Sequence, residues 1–168
     1  MENRKSDDMT QLVTFRLDKE TFGIDIFKIR EVIHSQKISS IPKAPRFVEG
    51  VIDVRDQIIP VINLKKRLGI KENGGYSQRI VILDLDCRLL GVVVDDISRV
   101  LKLEAKDYEA LPSTVAVDVE RSCIERIAKT EEGLIIIISP ERILSHRERR
   151  ALNDFEKSHK QETAGNAR

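Results

Sequence analysis

The chain has 168 residues, and its 29 Lys and Arg against 28 Asp and Glu leave a net charge of +1. That balance excludes indiscriminate binding to phosphate backbones or anionic membranes, which depends on a strong positive field. Five Phe, two Tyr and no Trp supply little for a base-stacking platform, and the length predicts one compact unit.

Residues 1–9 are polar and unpatterned, which predicts a flexible end. Gln11 to Asp18 alternates apolar and polar residues, as a half-buried strand does, and Thr21 to Asp25 reads as its returning partner across a polar turn. In IDIFKIREVI the apolar residues Ile26, Ile29, Val32 and Ile33 fall at helical spacing, which predicts a short amphipathic helix. Pro42 and Pro45 mark a connecting loop. A hairpin is expected next, with arms Val48–Val54 and Ile58–Ile62 around Arg55-Asp56-Gln57. Pro60 cannot donate to a ladder, so its side of the hairpin should be an edge or a bulge. Leu64 to Leu68 predicts one helical turn ended by Gly69, and KENGGYS reads as an exposed loop.

Two further strands are expected at Arg79–Asp86 and Leu89–Asp95, and another at Ile97–Leu103. Residues 104–120 have no clear period. Ser122–Ala128 and Leu134–Ile138 read as a last pair, the unbroken Ile135–Ile138 run implying burial on both faces. Ser139-Pro140 predicts a helix start, with an apolar stripe through Ile143, Leu144, Ala151, Leu152 and Phe155. The last dozen residues are polar and expected to be disordered. So many short strands with two modest helices predict a β-barrel or sandwich.

Chemistry-bearing motifs are scarce. The sequence contains no GxSxG, HExxH, CxxC, Walker or GxGxxG pattern. His34, His146 and His159 have no partner at metal-ligand spacing, and Cys123 reads as a buried thiol within a strand. Two cysteines are too few for a disulfide framework and fit a reducing compartment. The N-terminal MENRKSDDMT lacks the apolar core of a secretory signal, and no apolar run approaches a membrane span. A soluble cytoplasmic protein is therefore expected. The strongest enzymatic candidates are Asp84, Asp86 and Asp95, carboxylates that could hold a divalent cation or form an acid–base pair; the bland reading is a solvated strand end. Lys65-Lys66-Arg67 and Arg147–Arg150 read as solvated helix faces.

Four segments in order carry a family resemblance. VEGVIDVRDQIIPVINLKKRLG (residues 48–69) resembles the signature of the CheW family of bacterial chemotaxis coupling proteins, a Gly-Val strand, an Asn-Leu-Arg-Gly turn, an Ile/Val-Pro-Val-Val arm and Asp-Leu-Arg. FGIDIFKIREVI, LLGVVVDDISRVLKL and EEGLIIIISPERIL are similar to the family's other three conserved-order segments. The resemblance spans about residues 10–145. It implies an all-β fold of two packed SH3-like five-stranded β-barrels with short helices and a C-terminal helix, within a domain at 10–155 followed by a tail at 156–168. It implies no enzyme, no cofactor and no metal, but a scaffold linking methyl-accepting chemoreceptors to a CheA-type histidine kinase through that kinase's regulatory domain. A CheW-like adaptor of a surface-motility or developmental pathway would read alike, and the remaining alternative is a metal-dependent barrel enzyme using the three aspartates. By motif position, Arg55 is expected to be held by Glu31, with Ile29, Ile97 and Val100 at receptor or kinase contacts. The turn departs from the family pattern as Asp53-Val54-Arg55-Asp56, and Ile124-Glu125-Arg126 stands where Ile-x-Gly-Val is usual.

Overall fold

The computed structural model describes residues 9–71, 78–112 and 122–154. The expected loop at 72–77, most of the unpatterned stretch before Ser122, Phe155 and both chain ends lie outside them. Among the described residues, eleven strands form two sheets. The six-stranded sheet contains β1 (Thr10–Leu17), β2 (Glu20–Asp25), β8 (Asp96–Leu103), β9 (Tyr108–Glu109), β10 (Ile124–Thr130) and β11 (Gly133–Ile138), in the order β8-β1-β2-β11-β10-β9. The five-stranded sheet contains β3 (Ile29–His34), β4 (Val48–Val54), β5 (Gln57–Asn63), β6 (Arg79–Leu85) and β7 (Arg88–Val94), in the order β3-β6-β7-β5-β4.

Both sheets curl on themselves, as SH3-like barrels do. In the six-stranded sheet, β8 and β9 lie at opposite ends of the strand order, yet only the short 3-10 turn at Ala105–Asp107 and Glu104 separate them in sequence. In the five-stranded sheet, the chain leaving edge strand β3 meets the opposite edge, β4, through paired Ser39 and Val51 backbone bonds of 2.8 and 2.9 Å. Closure removes the exposed edges that would otherwise invite aggregation.

Strand β6 shows how the sequence specifies two cores at once. Ile80 and Ile82 point into its own barrel with Ile52, Ile59 and Val61, while Val81 and Leu83 point outward into a second cluster with Phe15, Leu17, Phe22 and Ile24 of the other sheet. A strand buried on both faces needs a continuous apolar run, and RIVIL supplies it. Leu12, Leu103, Ala128, Ile135 and Ile137 fill the six-stranded barrel. The largest cluster is therefore the seam between the barrels.

Pro60 sits in an interior strand rather than at an edge. Val51, opposite it, sends its N–H and C=O to Ser39, so β4 asks Pro60 for no donor, and pairing to β7 begins only at Val61. Leu64–Arg67 forms the expected turn, α1, with the Asn63 side chain capping Lys66 N–H at 3.2 Å and Gly69 beyond its end at φ 69°.

Two expected helices are corrected. Residues 26–33 form a 3-10 turn, Ile26–Lys28, followed by β3. Asp25 accepts the Phe27 N–H at 3.0 Å and so caps that turn. After Ser139 the chain makes only a 3-10 turn at Pro140–Arg142. A separate helix, α2, covers residues 146–154. Its start is a capping box: Ser145 Oγ accepts the Glu148 N–H at 3.1 Å, and the Glu148 carboxylate accepts the Ser145 N–H at 3.0 Å.

The basic run in α1 is also not a solvated face. Lys65 pairs with Asp95 at 2.7 Å, Lys66 with Glu49 at 2.8 Å, and Arg67 with Glu148 at 3.1 Å. Arg67 uses both terminal nitrogens on Glu148 and lies over the Phe47 ring, 4.7 Å from its centroid. One short helix thereby ties β4, the end of β7 and α2 together.

Candidate docking surface

The β4–β5 turn has only two residues, Arg55 and Asp56, at φ 52° and 64°. A type I′ turn demands positive φ at both positions, and each L-residue there costs about 1 kcal/mol. The turn is tied down from outside. Gln36 Nε2 donates to the Asp53 carbonyl at 3.1 Å, and Arg55 Nη2 donates to Glu31 Oε2 at 2.7 Å. Glu31 lies on β3 and Arg55 at the tip of the opposite edge hairpin, so the ion pair brackets the mouth of the closed barrel. The Arg55 side chain is 78% exposed and that of Glu31 23%. Such a pair contributes no more than about 1 kcal/mol to folding, which leaves the guanidinium free to serve a surface.

The apolar candidates occupy a different face. Val100 stands opposite Val13 and Ile97 opposite Phe15. In a regular strand, positions three apart face opposite sides. Here the register slips between Thr14 and Phe15, leaving Ser98 as an extra residue, and this bulge returns Ile97 and Val100 to one face. That is the face of Phe15, toward the seam. Ile97 is half-buried against the inter-barrel cluster, whereas Val100 is 52% exposed.

Strand β3 repeats the device. Its register slips between Ile29 and Glu31, so Ile29 stands opposite Leu83 and Val32 opposite Val81, both members of the seam cluster. Ile29 packs against that cluster, and Val32 is left 40% exposed. Glu31, between them, faces the barrel interior beside Ile82 and reaches Arg55 instead. The structure thus brings Glu31 to Arg55, places Ile29, Ile97 and Val100 at the seam, and separates the polar bracket from the apolar strip by alternate faces of one strand. Val32 joins the strip as a residue the sequence reading had assigned to a helix stripe.

The aspartate cluster does not assemble. Asp86 lies in the β6–β7 turn at φ 51°, not on a strand face with Asp84. Asp84 accepts the Cys87 N–H at 3.2 Å and lies 3.7 Å from Arg30. Asp95 follows the far end of β7, roughly 20 Å along the hairpin from the turn, and is held by Lys65. Among the described residues no group of three or more His, Cys, Asp or Glu could hold a metal. Cys123 is fully buried, and burial pushes its thiol up, so it stays protonated and unreactive at neutral pH.

Fold and surface together define a double-barrel β protein whose distinguishing features are contact faces rather than a convergent reactive centre. The chain belongs to the CheW-like family: the model of the CheW-like domain matches residues 11–148. It is 32% identical over 148 residues to the chemotaxis protein CheW of Treponema pallidum, covering 85% of this chain and 86% of that protein. Against the chemotaxis protein CheW of Thermotoga maritima it is 31% identical over 134 residues, covering 80% and 87%. The crystal structure of the scaffolding protein TtCheW from Thermoanaerobacter tengcongensis superposes with a TM-score of 0.76 at 34% identity, over 88% of this chain and 96% of that one. No helix among the described residues is long and apolar enough to cross a membrane.

Proposed function

We propose that this chain is a cytoplasmic coupling adaptor, joining the signalling tip of methyl-accepting chemoreceptors to the regulatory domain of a CheA-type histidine kinase. The observation that carries the reading is the open apolar strip along the barrel seam, with Val32 and Val100 exposed beside half-buried Ile29 and Ile97. A helical hairpin presents a narrow apolar face, and a strip of aliphatics between two rigid barrels is the complementary shape. Apolar anchors supply affinity, and the nearby Arg55 and Glu31 fix register and select partners by charge. Each interface is modest, and joining several in one assembly raises the effective concentration of each partner. The protein catalyses no step and supplies geometry.

Arg55→Glu tests the reading. It places two carboxylates at the bracket, so affinity for a receptor-tip fragment should fall about tenfold or more. The thermal midpoint should move by only a few degrees, because the pair is exposed. Adding Glu31→Arg to restore opposite charges should recover part of the binding. Unchanged binding of Arg55→Glu in a titration would remove Arg55 from the docking surface.

A further inference from the structure

The chain passes from the six-stranded barrel to the five-stranded one at Ile26–Lys28 and returns at Asp95, between β7 and β8. Asp95 makes contacts on both sides of that crossing. Its N–H donates to the Arg16 carbonyl of β1 at 3.1 Å. One carboxylate oxygen accepts the Asp18 N–H of the β1–β2 turn at 2.7 Å. The other pairs with Lys65 Nζ of α1, on the other barrel, also at 2.7 Å. The two side chains are only 12% and 16% exposed.

Two kinds of force join the barrels, and they do different things. The seam cluster is aliphatic and aromatic, and its attraction is proportional to buried area and has no direction. Apolar faces of this kind hold two bodies together while leaving their mutual rotation soft. A charge-assisted hydrogen bond out of bulk water is short, directional and only weakly screened. Asp95 is anchored by two backbone bonds to the first barrel and by its ion pair to the second. The β1–β2 turn it holds contains Asp18 at φ 55°, a left-handed residue whose N–H is fixed by that carboxylate.

We infer that Asp95 and Lys65 form a clasp that sets the angle between the two barrels, and through it the width of the apolar strip to which each barrel contributes one wall. The first half of this statement stands on the crossing itself; the second rests on the docking role proposed above. Asp95 and Lys65 are positioning residues, remote from the partner.

The test uses the full chain carrying Cys87→Ser, with spin labels at Lys102→Cys on β8 and His34→Cys on β3, both exposed positions. Pulsed electron–electron resonance reads the inter-barrel distance distribution. Lys65→Met should broaden it, Asp95→Asn should broaden it while keeping an acceptor for the Asp18 N–H, and Lys65→Arg should restore the parent width. Without labels, the first two variants should bind a receptor-tip fragment about tenfold more weakly, with cooperative thermal unfolding retained. If Lys65→Met fails to fold, Asp95→Asn carries the comparison. A distribution as narrow in the variants as in the parent overturns the clasp. Broadening with unchanged affinity overturns its link to docking. A parent chain that binds no receptor fragment, while the variants still broaden, removes the docking role and leaves the clasp standing.

Discussion

The charged residues of this chain do three distinct things, separable by exposure and partner. Arg55 sits in solvent, and its bond to Glu31 is worth little to the fold. Arg67 is largely covered, stacked on Phe47 and bidentate to Glu148, where a planar guanidinium does what an ammonium could not. Lys28 and Glu141 lie between, half-exposed and 2.6 Å apart. The Glu141 hydrogen bond and charge raise the Lys28 pKa against a small opposing desolvation. Burial alone would raise Glu141, but the Lys28 hydrogen bond, its own backbone N–H and the Lys28 charge together hold it below the ordinary carboxylate value. The sign of the linkage follows. Stability from a depressed carboxylate is present above its unfolded pKa and is lost as pH falls through the folded one. Stability from a raised lysine is present below its unfolded pKa and is lost as pH rises through the folded value. Glu141→Gln should therefore flatten the acid limb, losing less stability than the parent in denaturant titrations between about pH 6 and pH 3. Equal acid slopes for the two chains would show that the pair contributes nothing.

At the scale of elements, the bulges explain both the surface and the misread helix. Ile26, Ile29, Val32 and Ile33 have helical spacing in the sequence, yet β3 is a strand. A bulge at Arg30 inserts one residue, so Ile29 and Val32 share a face at spacing three. Ile97 and Val100 are aligned the same way by the bulge at Ser98. A period of three in a β-rich chain is thus ambiguous between a helical turn and a bulged strand. Only the pairing partner, far away in sequence, decides it. The capping box Ser145-His146-Arg147-Glu148 was legible in principle, since Ser followed by Glu at the third position is a local signal for a helix start. The ion pairs of α1 were not, because Glu49, Asp95 and Glu148 are all remote from it in the chain.

Barrel closure at this scale depends on one glycine. Gly50 has φ 146°, and a Cβ there would stand 2.0 Å from the Ser39 carbonyl oxygen, within the backbone bridge that joins the two edges. Gly50→Ala should cost about 2–3 kcal/mol, read as a lower urea midpoint at unchanged slope. A midpoint within error of the parent would mean that Ser39 can withdraw and that its bridge is dispensable to closure.

For the molecule as a whole, the largest buried cluster lies between the barrels rather than inside either. Two small barrels sharing their main core should melt as one body. Leu83 is fully buried in that shared cluster. Leu83→Ala should lower stability by about 2–5 kcal/mol and shift the strand signal and a probe on either barrel together. Two separated transitions would show that each barrel holds itself. The all-β class, most strand positions and the hairpin turns were legible from alternation and turn residues. So was the family, from four segments in order. The seam was not: it arises only when Val81 and Leu83 meet Phe15 and Phe22 from a different sheet.

The central claim is that this chain bridges two partners. The direct measurement is retention of a labelled CheA-type regulatory domain on beads carrying a receptor signalling-tip fragment, with and without the chain. The account predicts retention only when the chain is present, and loss of that retention with Arg55→Glu. If the chain binds neither partner, or binds each but never both together, the adaptor role is contradicted.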